Sequence, residues 1–337
     1  MAKILENNIL ILKEGYIEIL NDMKKIPKTL PQVTHIKEIN SDDYDFFKKD
    51  RLTNPLSKIE KVKLDAKTEL SLNRNIVAYD ESIKKFSCLE GEGYLVGHSI
   101  IELKGDDYKP TGLLTFNFYT QSDFIVKKSD YVKKSKDHKI DSKKDYIMDR
   151  IDFLTKYTPE DSILLIDGPL IGGDVYTYLI RSIDNFLDRN ILPVFFVKNS
   201  NSNIVTDNID ELKNKYNSDM HWTYNYLNKG ERTNFFIYRD KINPNNAKVF
   251  CYLKAFNKSP QRIEFHVSSF KKFEDEIDNL INKIYYYIIV QGKNNPQIRP
   301  IAIAEKYARE YVKLSNINKT FFDIGLTPTM NQERFGG

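Results

Sequence analysis

Cysteine is almost missing from this chain. Its two residues, Cys88 and Cys251, stand far apart with no CxxC spacing, which argues against a zinc site and fits a reducing cytoplasm. Tryptophan occurs once. Long apolar runs are missing too: the longest, within Ile281 to Val290, is too short to cross a bilayer. The N-terminus carries acids and lacks a long apolar run, so no signal peptide and a cytoplasmic location are expected. No Gly-x-x-x-x-Gly-Lys-Ser/Thr stretch occurs, so the chain is not expected to hydrolyse ATP itself. Gly172-Gly173-Asp174 reads only as a short turn opening a helix.

What is present describes a globular protein. Hydrophobic residues make up 41% and charged residues 29% of 337, enough apolar content for one large domain. Tyr (21) and Phe (20) are abundant, and most of them are expected in the core. The net charge of +4 is mildly basic and compatible with a polyanionic partner. Lysines cluster at Lys127-Lys128, Lys133-Lys134, Lys136, Lys139 and Lys143-Lys144. They form either a solvated loop or an arm that contacts phosphates.

The order of elements gives the fold class. Residues 1–70 look helical and polar, with an approximate stripe of Ile9, Leu10, Leu12, Ile17, Ile19 and Leu20. Strand-like runs follow at Asn75–Asp80, Phe86–Glu90, Tyr94–Leu103 and Gly112–Tyr119, with Gly91 and Gly93 as a turn. A helix is predicted over Asp145–Tyr157, with Ile147, Ile151, Leu154 and Tyr157 facing the core. Then come a strand at Ile163–Asp167, a helix at Val175–Leu187 and a strand at Leu192–Lys198, a βαβ unit that is right-handed and parallel. Phe235–Tyr238, Val249–Phe256 and Arg262–Val267 read as strands, Phe273–Val290 and Ile301–Leu314 as helices. Early antiparallel strands followed by parallel α/β units imply an α/β fold with a ribonuclease H-like mixed sheet flanked by helices. The expected division is a helical region over 1–70, a ribonuclease H-like domain over 71–315 and a tail over 316–337.

Two acids stand out in that order. Asp167 closes the apolar run Ser162-Ile163-Leu164-Leu165-Ile166 just before Gly168-Pro169, and Asp80 closes Asn75-Ile76-Val77-Ala78-Tyr79. A buried carboxylate is costly unless a cation or hydrogen-bond donor compensates it. Phosphodiester hydrolysis with divalent metals needs several such carboxylates converging on the cations. A third acid is expected from a helix packed on the same edge, and the helix before Asp167 offers Asp149 and Asp152.

These residues resemble the NurA family of DNA-end-processing nucleases. Leu164-Leu165-Ile166-Asp167-Gly168-Pro169-Leu170 is similar to its second acid motif, and Val77-Ala78-Tyr79-Asp80-Glu81-Ser82 to its first, with Glu81 in place of the usual Gly. Val197-Lys198-Asn199-Ser200 and Arg262-Ile263-Glu264-Phe265 resemble two further strands of the family. Pro300-Ile301-Ala302-Ile303-Ala304-Glu305 resembles a third segment, in which Glu305 stands where the family carries His or Asp. His266 is a second candidate for that place.

The resemblance implies a Mn²⁺-dependent (less well Mg²⁺-dependent) exonuclease and endonuclease on DNA. It also implies a homodimer docked on HerA, a hexameric ATP-driven translocase, for recombination repair or defence against invading DNA. Asp80, Asp149 and Asp167 would hold the metals, with Asp152 in reserve for Asp149, and Glu305 would complete the shell. Lys198 would contact the scissile phosphate or orient water. Lys133, Lys134, Lys136 and Arg262 are the expected DNA contacts, although Arg262 and Glu264 also read as a structural pair. Two rivals remain: a degenerate DNA-binding or scaffolding subunit, and a ribonuclease H-like enzyme acting on RNA. Tyr285-Tyr286-Tyr287 is either a partner face or core.

Overall fold

The computed structural model describes residues 44–47, 59–67, 74–104, 107–127, 132–171, 177–207, 209, 211–239 and 247–315. All of them fall in one unit. Strands β1 (Tyr44–Phe47) and β2 (Lys61–Lys63) precede the long meander β3 (Asn75–Cys88), β4 (Gly91–Lys104) and β5 (Asp107–Thr120). Helix α1 (Asp123–Val126) and strand β6 (Val132–Lys134) lead into helix α2 (His138–Tyr157). Then come β7 (Ser162–Asp167), the short helices α3 (Thr177–Arg181) and α4 (Ile183–Asp188), and β8 (Leu192–Val197). After α5 (Asp219–Tyr226) follow β9 (Glu231–Thr233), β10 (Phe235–Arg239), β11 (Ala247–Lys254) and β12 (Gln261–His266). Helices α6 (Val267–Lys272), α7 (Glu274–Gln291) and α8 (Arg299–Leu314) end the described chain.

Among the described residues, 12 strands join one sheet in the order β1-β10-β11-β12-β8-β7-β3-β4-β5-β6, with β9 on β11 and β2 on β9. Its centre is ribonuclease H-like: β5, β4 and β3 are antiparallel neighbours, and β7 and β8 follow parallel to β3. The sequence explains the layering. β7 and β8 read as continuous apolar runs because both of their faces are covered. Ile76, Ala78, Ile163, Leu165, Val194 and Phe196 pack in one core with Phe270, Ile277, Ile281, Ile284 and Ile301 from α6, α7 and α8. Val77, Tyr79, Leu164 and Ile166 pack in the opposite core with Phe153 and Leu154 of α2 and Phe186 of α4.

Several boundaries differ from expectation. Asn75–Asp80 and the first three residues of Phe86–Glu90 belong to one strand, β3, paired with β4 from Ile76↔Leu103 to Cys88↔Gly91. Glu81 to Lys85 look non-strand because they are mostly polar, but beyond β7 they continue as the edge of the three-stranded β3-β4-β5 meander. Gly91 and Gly93 therefore lie inside β4, and Leu89-Glu90 makes the turn. Helix α2 begins at His138, where the Asp137 side chain accepts from the Ile140 amide at 3.0 Å. Tyr157, expected in the core, is exposed at the end of α2. The helix expected over Val175–Leu187 appears as α3 and α4.

The stretch read as helical before residue 70 contributes β1, on β10, and β2, on β9. Its apolar stripe at 9–20, Gly172-Gly173-Asp174, Lys128 and the 316–337 tail lie outside the described residues. Tyr285 and Tyr287 are buried in the core, with Tyr286 packed against it.

Helix α8 crosses β3 and β4, and Gly97 of β4 allows the close approach. A Cβ there would stand 2.6 Å from the carbonyl oxygen of Ala308. Gly97→Ala is expected to cost about 1–3 kcal/mol by overpacking, seen as a lower midpoint in urea unfolding.

Candidate active site

Three neighbouring strands deliver polar residues to one point. β3 and β7 run parallel and paired up to Tyr79↔Ile166; the next residues are Asp80 and Asp167. Strand alternation turns both acids to the face that Ala78 and Leu165 share with α7. By the same alternation Lys198, two residues beyond Phe196 at the end of β8, points the same way. Gly168 then takes φ +97°, and its amide donates to the Phe196 carbonyl at 2.9 Å. This turn needs glycine because a Cβ disfavours that backbone region. Asp80 is not the end of its strand, as the sequence suggested. It sits where β3 loses β7 as a partner, and that opens the edge.

The Lys198 ammonium stands among the acids. Its Nζ lies 3.1 Å from Asp167 Oδ2, 3.9 Å from Asp80 Oδ2 and 3.8 Å from Glu305 Oε2 of α8. Asp80 is 5% exposed. Its Oδ1 accepts from the Glu81 amide at 2.8 Å, while its Oδ2 is buried without a hydrogen-bond donor. Burial, then the negative charges of Asp167 and Glu81, push the Asp80 carboxyl up to about 8, against the pull of Lys198. Burial also raises Asp167, with Lys198 opposing. Glu305 accepts from Gln297 Nε2 at 3.1 Å and pairs with Arg309 one turn along α8.

Among the described residues, no three His, Cys, Asp or Glu side chains form a ready-made metal shell. The donor set still fits a hard divalent cation: carboxylate oxygens in excess negative charge, one of them buried and unsatisfied. Beside the acids a cavity of about 520 Å³ is lined by Lys198, Gln297, Glu305, Lys306, Arg309 and Lys313.

Not every expected residue arrives here. Asp149 has Thr115, Lys133, Asp145 and Asp152 as its electrostatic neighbours, and Asp152 is exposed. The α2 residues at the site edge are Tyr146 and Arg150, whose Nη2 donates to the Asp167 carbonyl at 3.2 Å. Each residue turns a helix by about 100°, so an edge occupied by Arg150 turns Asp149 aside. Arg262, expected on DNA, is 3% exposed. It donates to Glu264 Oε1 at 2.7 Å and to Ser202 Oγ at 2.6 Å, which makes it a structural residue. His266 accepts from the Ser268 amide at the start of α6. Lys133 and Lys134 pair with Asp145 and Asp123, and Lys136 is exposed. Glu81, singled out in the sequence only for the glycine that the resemblance implies there, donates its amide to Asp80 Oδ1 at 2.8 Å.

Residues 92–310 match the family model of the NurA domain. The chain belongs to the NurA nuclease family. The NurA match starts after Asp80 and Glu81, which the β3–β4 ladder ties to it through Asp80↔Ser99 and Glu81↔His98. Among solved structures the chain is similar to the NurA nuclease from Sulfolobus solfataricus, at 12% identity over 80% of this chain and 89% of that one, with a TM-score of 0.47. It is also similar to endonuclease V from Bacillus subtilis, at 7% identity over 92% and 95%, TM-score 0.38. A NurA bound to dAMP and manganese shares 8% identity over 86% and 88%, TM-score 0.37. No curated protein matches the chain. Among the described residues, no helix is long and apolar enough to cross a membrane.

Proposed function

We propose that this NurA-family chain is a divalent-metal-dependent DNA nuclease, an exonuclease and endonuclease acting at DNA ends. The observation that carries this reading is the convergence of Asp80, Asp167 and Glu305 around Lys198. These three acids would hold Mn²⁺ or Mg²⁺, which when bound supplies Lewis-acid activation for phosphodiester hydrolysis. Lys198 exchanges its contact with Asp167 for the scissile phosphate and neutralises charge that develops there. Lys306, Arg309 and Lys313, along the adjoining cavity, steer the phosphate backbone toward the acids. Family membership supports the remaining elements: a homodimer working with a HerA-type hexameric ATPase, in recombination repair or in defence against invading DNA.

The deciding assay is cleavage of end-labelled linear DNA with Mn²⁺, with and without EDTA and with and without that ATPase. Degradation that EDTA stops is the expected result. A second reading, a degenerate DNA-binding subunit, draws on the ammonium standing where the acids would need a metal. Intact DNA in every arm would establish that second reading.

The basic face of α8 gives a further expectation. Neutralising Lys306 and Lys313 together should reduce the slope of log affinity against log salt by about 2. Neutralising Lys133, Lys134 and Lys136 tests the lysine arm in the same way. Lys133 and Lys134 hold carboxylate partners, as Lys313 does in Glu310, so the two slopes compare like with like. Equal slopes for the α8 variant and wild type would remove α8 from the DNA path.

A further inference from the structure

Helix α2 packs where a third acid is expected, yet it presents Tyr146 and Arg150 to the site edge. We infer that Glu81, from β3 and not from a helix, adds a further carboxylate to the metal site of Asp80, Asp167 and Glu305 from the α2 side of the sheet edge, with Tyr146 as its positioning residue. The inference rests on the nuclease reading above and adds a residue to it.

The geometry builds from the strand. Alternation turns Tyr79 and Glu81 toward α2, while Asp80 turns toward α8. The Tyr146 hydroxyl donates to Glu81 Oε1 and accepts from Arg150 Nη1 at 3.2 Å. Arg150 Nη2 reaches the Asp167 carbonyl at 3.2 Å. Three hydrogen bonds thus tie Glu81 to the backbone of Asp167, across two strands. The Glu81 amide in turn fixes Asp80 Oδ1.

Each carboxylate is then held by one oxygen and leaves the other unsatisfied. Asp80 Oδ2 and Glu81 Oε2 are both buried without a hydrogen-bond donor, and Asp80 is 5% exposed. A buried acceptor left open is costly, and a hard divalent cation is a partner that carboxylate oxygens take. Arg150 also explains why the helix offers no acid: its guanidinium compensates Glu81 through Tyr146, where another carboxylate would repel it.

The test compares Glu81→Gln, Tyr146→Phe and Asp167→Asn in the full-length protein. Three readouts apply: Mn²⁺ binding by calorimetry, thermal unfolding, and cleavage of end-labelled DNA. Glu81→Gln is expected to weaken Mn²⁺ binding on the order of 100-fold, and Tyr146→Phe about tenfold, each with a matching loss of cleavage. Wild-type Mn²⁺ affinity in Glu81→Gln beside an inactive Asp167→Asn would overturn the role of Glu81 and leave the nuclease reading standing. Cleavage retained in Asp167→Asn, or no Mn²⁺ binding by the wild type, would overturn that reading and the inference with it. If Glu81→Gln fails to fold, Tyr146→Phe decides: unchanged Mn²⁺ affinity rejects the inference, and weakened affinity supports it.

Discussion

Asp167→Asn is expected to lower cleavage of linear DNA on the order of 10³-fold without lowering thermal stability. The two halves of this expectation come from one arrangement. Asp167 and Asp80 end a shared parallel ladder and face the same Lys198. Their negative charges disfavour each other, and only one full ammonium stands between them. Asparagine keeps the shape and removes one charge, so the repulsion falls while the site loses a hard oxygen donor. Lys198 retains Asp80 and Glu305 as neighbours and is not left as a lone buried cation. A residue needed for folding would lose stability and activity together. A functional acid loses activity alone, and heat unfolding beside the cleavage assay separates the two. Full cleavage by Asp167→Asn would remove this cluster from the chemistry.

Much of this site was legible because it depends on strands. An apolar run that ends in Asp and then Gly-Pro reads the same way in sequence and in structure, and β7 and β8 fall where expected. The shared face of Asp80, Asp167 and Lys198 follows only once the pairing of β3, β7 and β8 is known. The helix was harder. The i, i+3 spacing of Asp149 and Asp152 says that they share a face, but the rotation of α2 against the sheet is set by which residues pack. Phe153 and Leu154 take the core side, and Arg150 takes the edge. Arg262 failed for a different reason. Alternating polar and apolar residues usually mark a strand with one wet face, yet all 6 residues of β12 are buried. The polar set is dry because Lys248 and Glu264 satisfy it from within, a compensation split between two strands that no local pattern shows. Asp80 was placed correctly on a strand whose end was not, since the mostly polar residues 81–85 hide a strand that continues to Cys88.

Glu264→Ala is expected to destabilise the protein by about 3–5 kcal/mol, a fall in Tm on the order of 10 °C. Glu264 is fully buried. It accepts from Lys248 Nζ at 2.6 Å, Arg262 Nε at 2.7 Å and the Leu170 amide at 2.8 Å. Removing it leaves two cations, 2% and 3% exposed, with no carboxylate between them, and that uncompensated charge dominates the cost. Burial alone would raise the Glu264 carboxyl, but Lys248 and Arg262 outweigh it and hold it below the ordinary glutamate value. A depressed carboxyl contributes stability above its unfolded pKa, near ~4.3, and loses it as pH falls through the lower folded value. The gap between wild type and Glu264→Ala should therefore be full at neutral pH and close in acid. Pairing Glu264→Gln with Lys248→Met gives the cycle that isolates the contact, and the double variant should cost less than the sum of the singles. The effect also reaches the site, because Leu170 lies three residues after Asp167 and its amide anchors the turn to Glu264. Cleavage should thus fall in Glu264→Ala even at temperatures where the protein stays folded. An unfolding curve matching wild type at neutral pH would show that this buried network does not hold the turn behind Asp167.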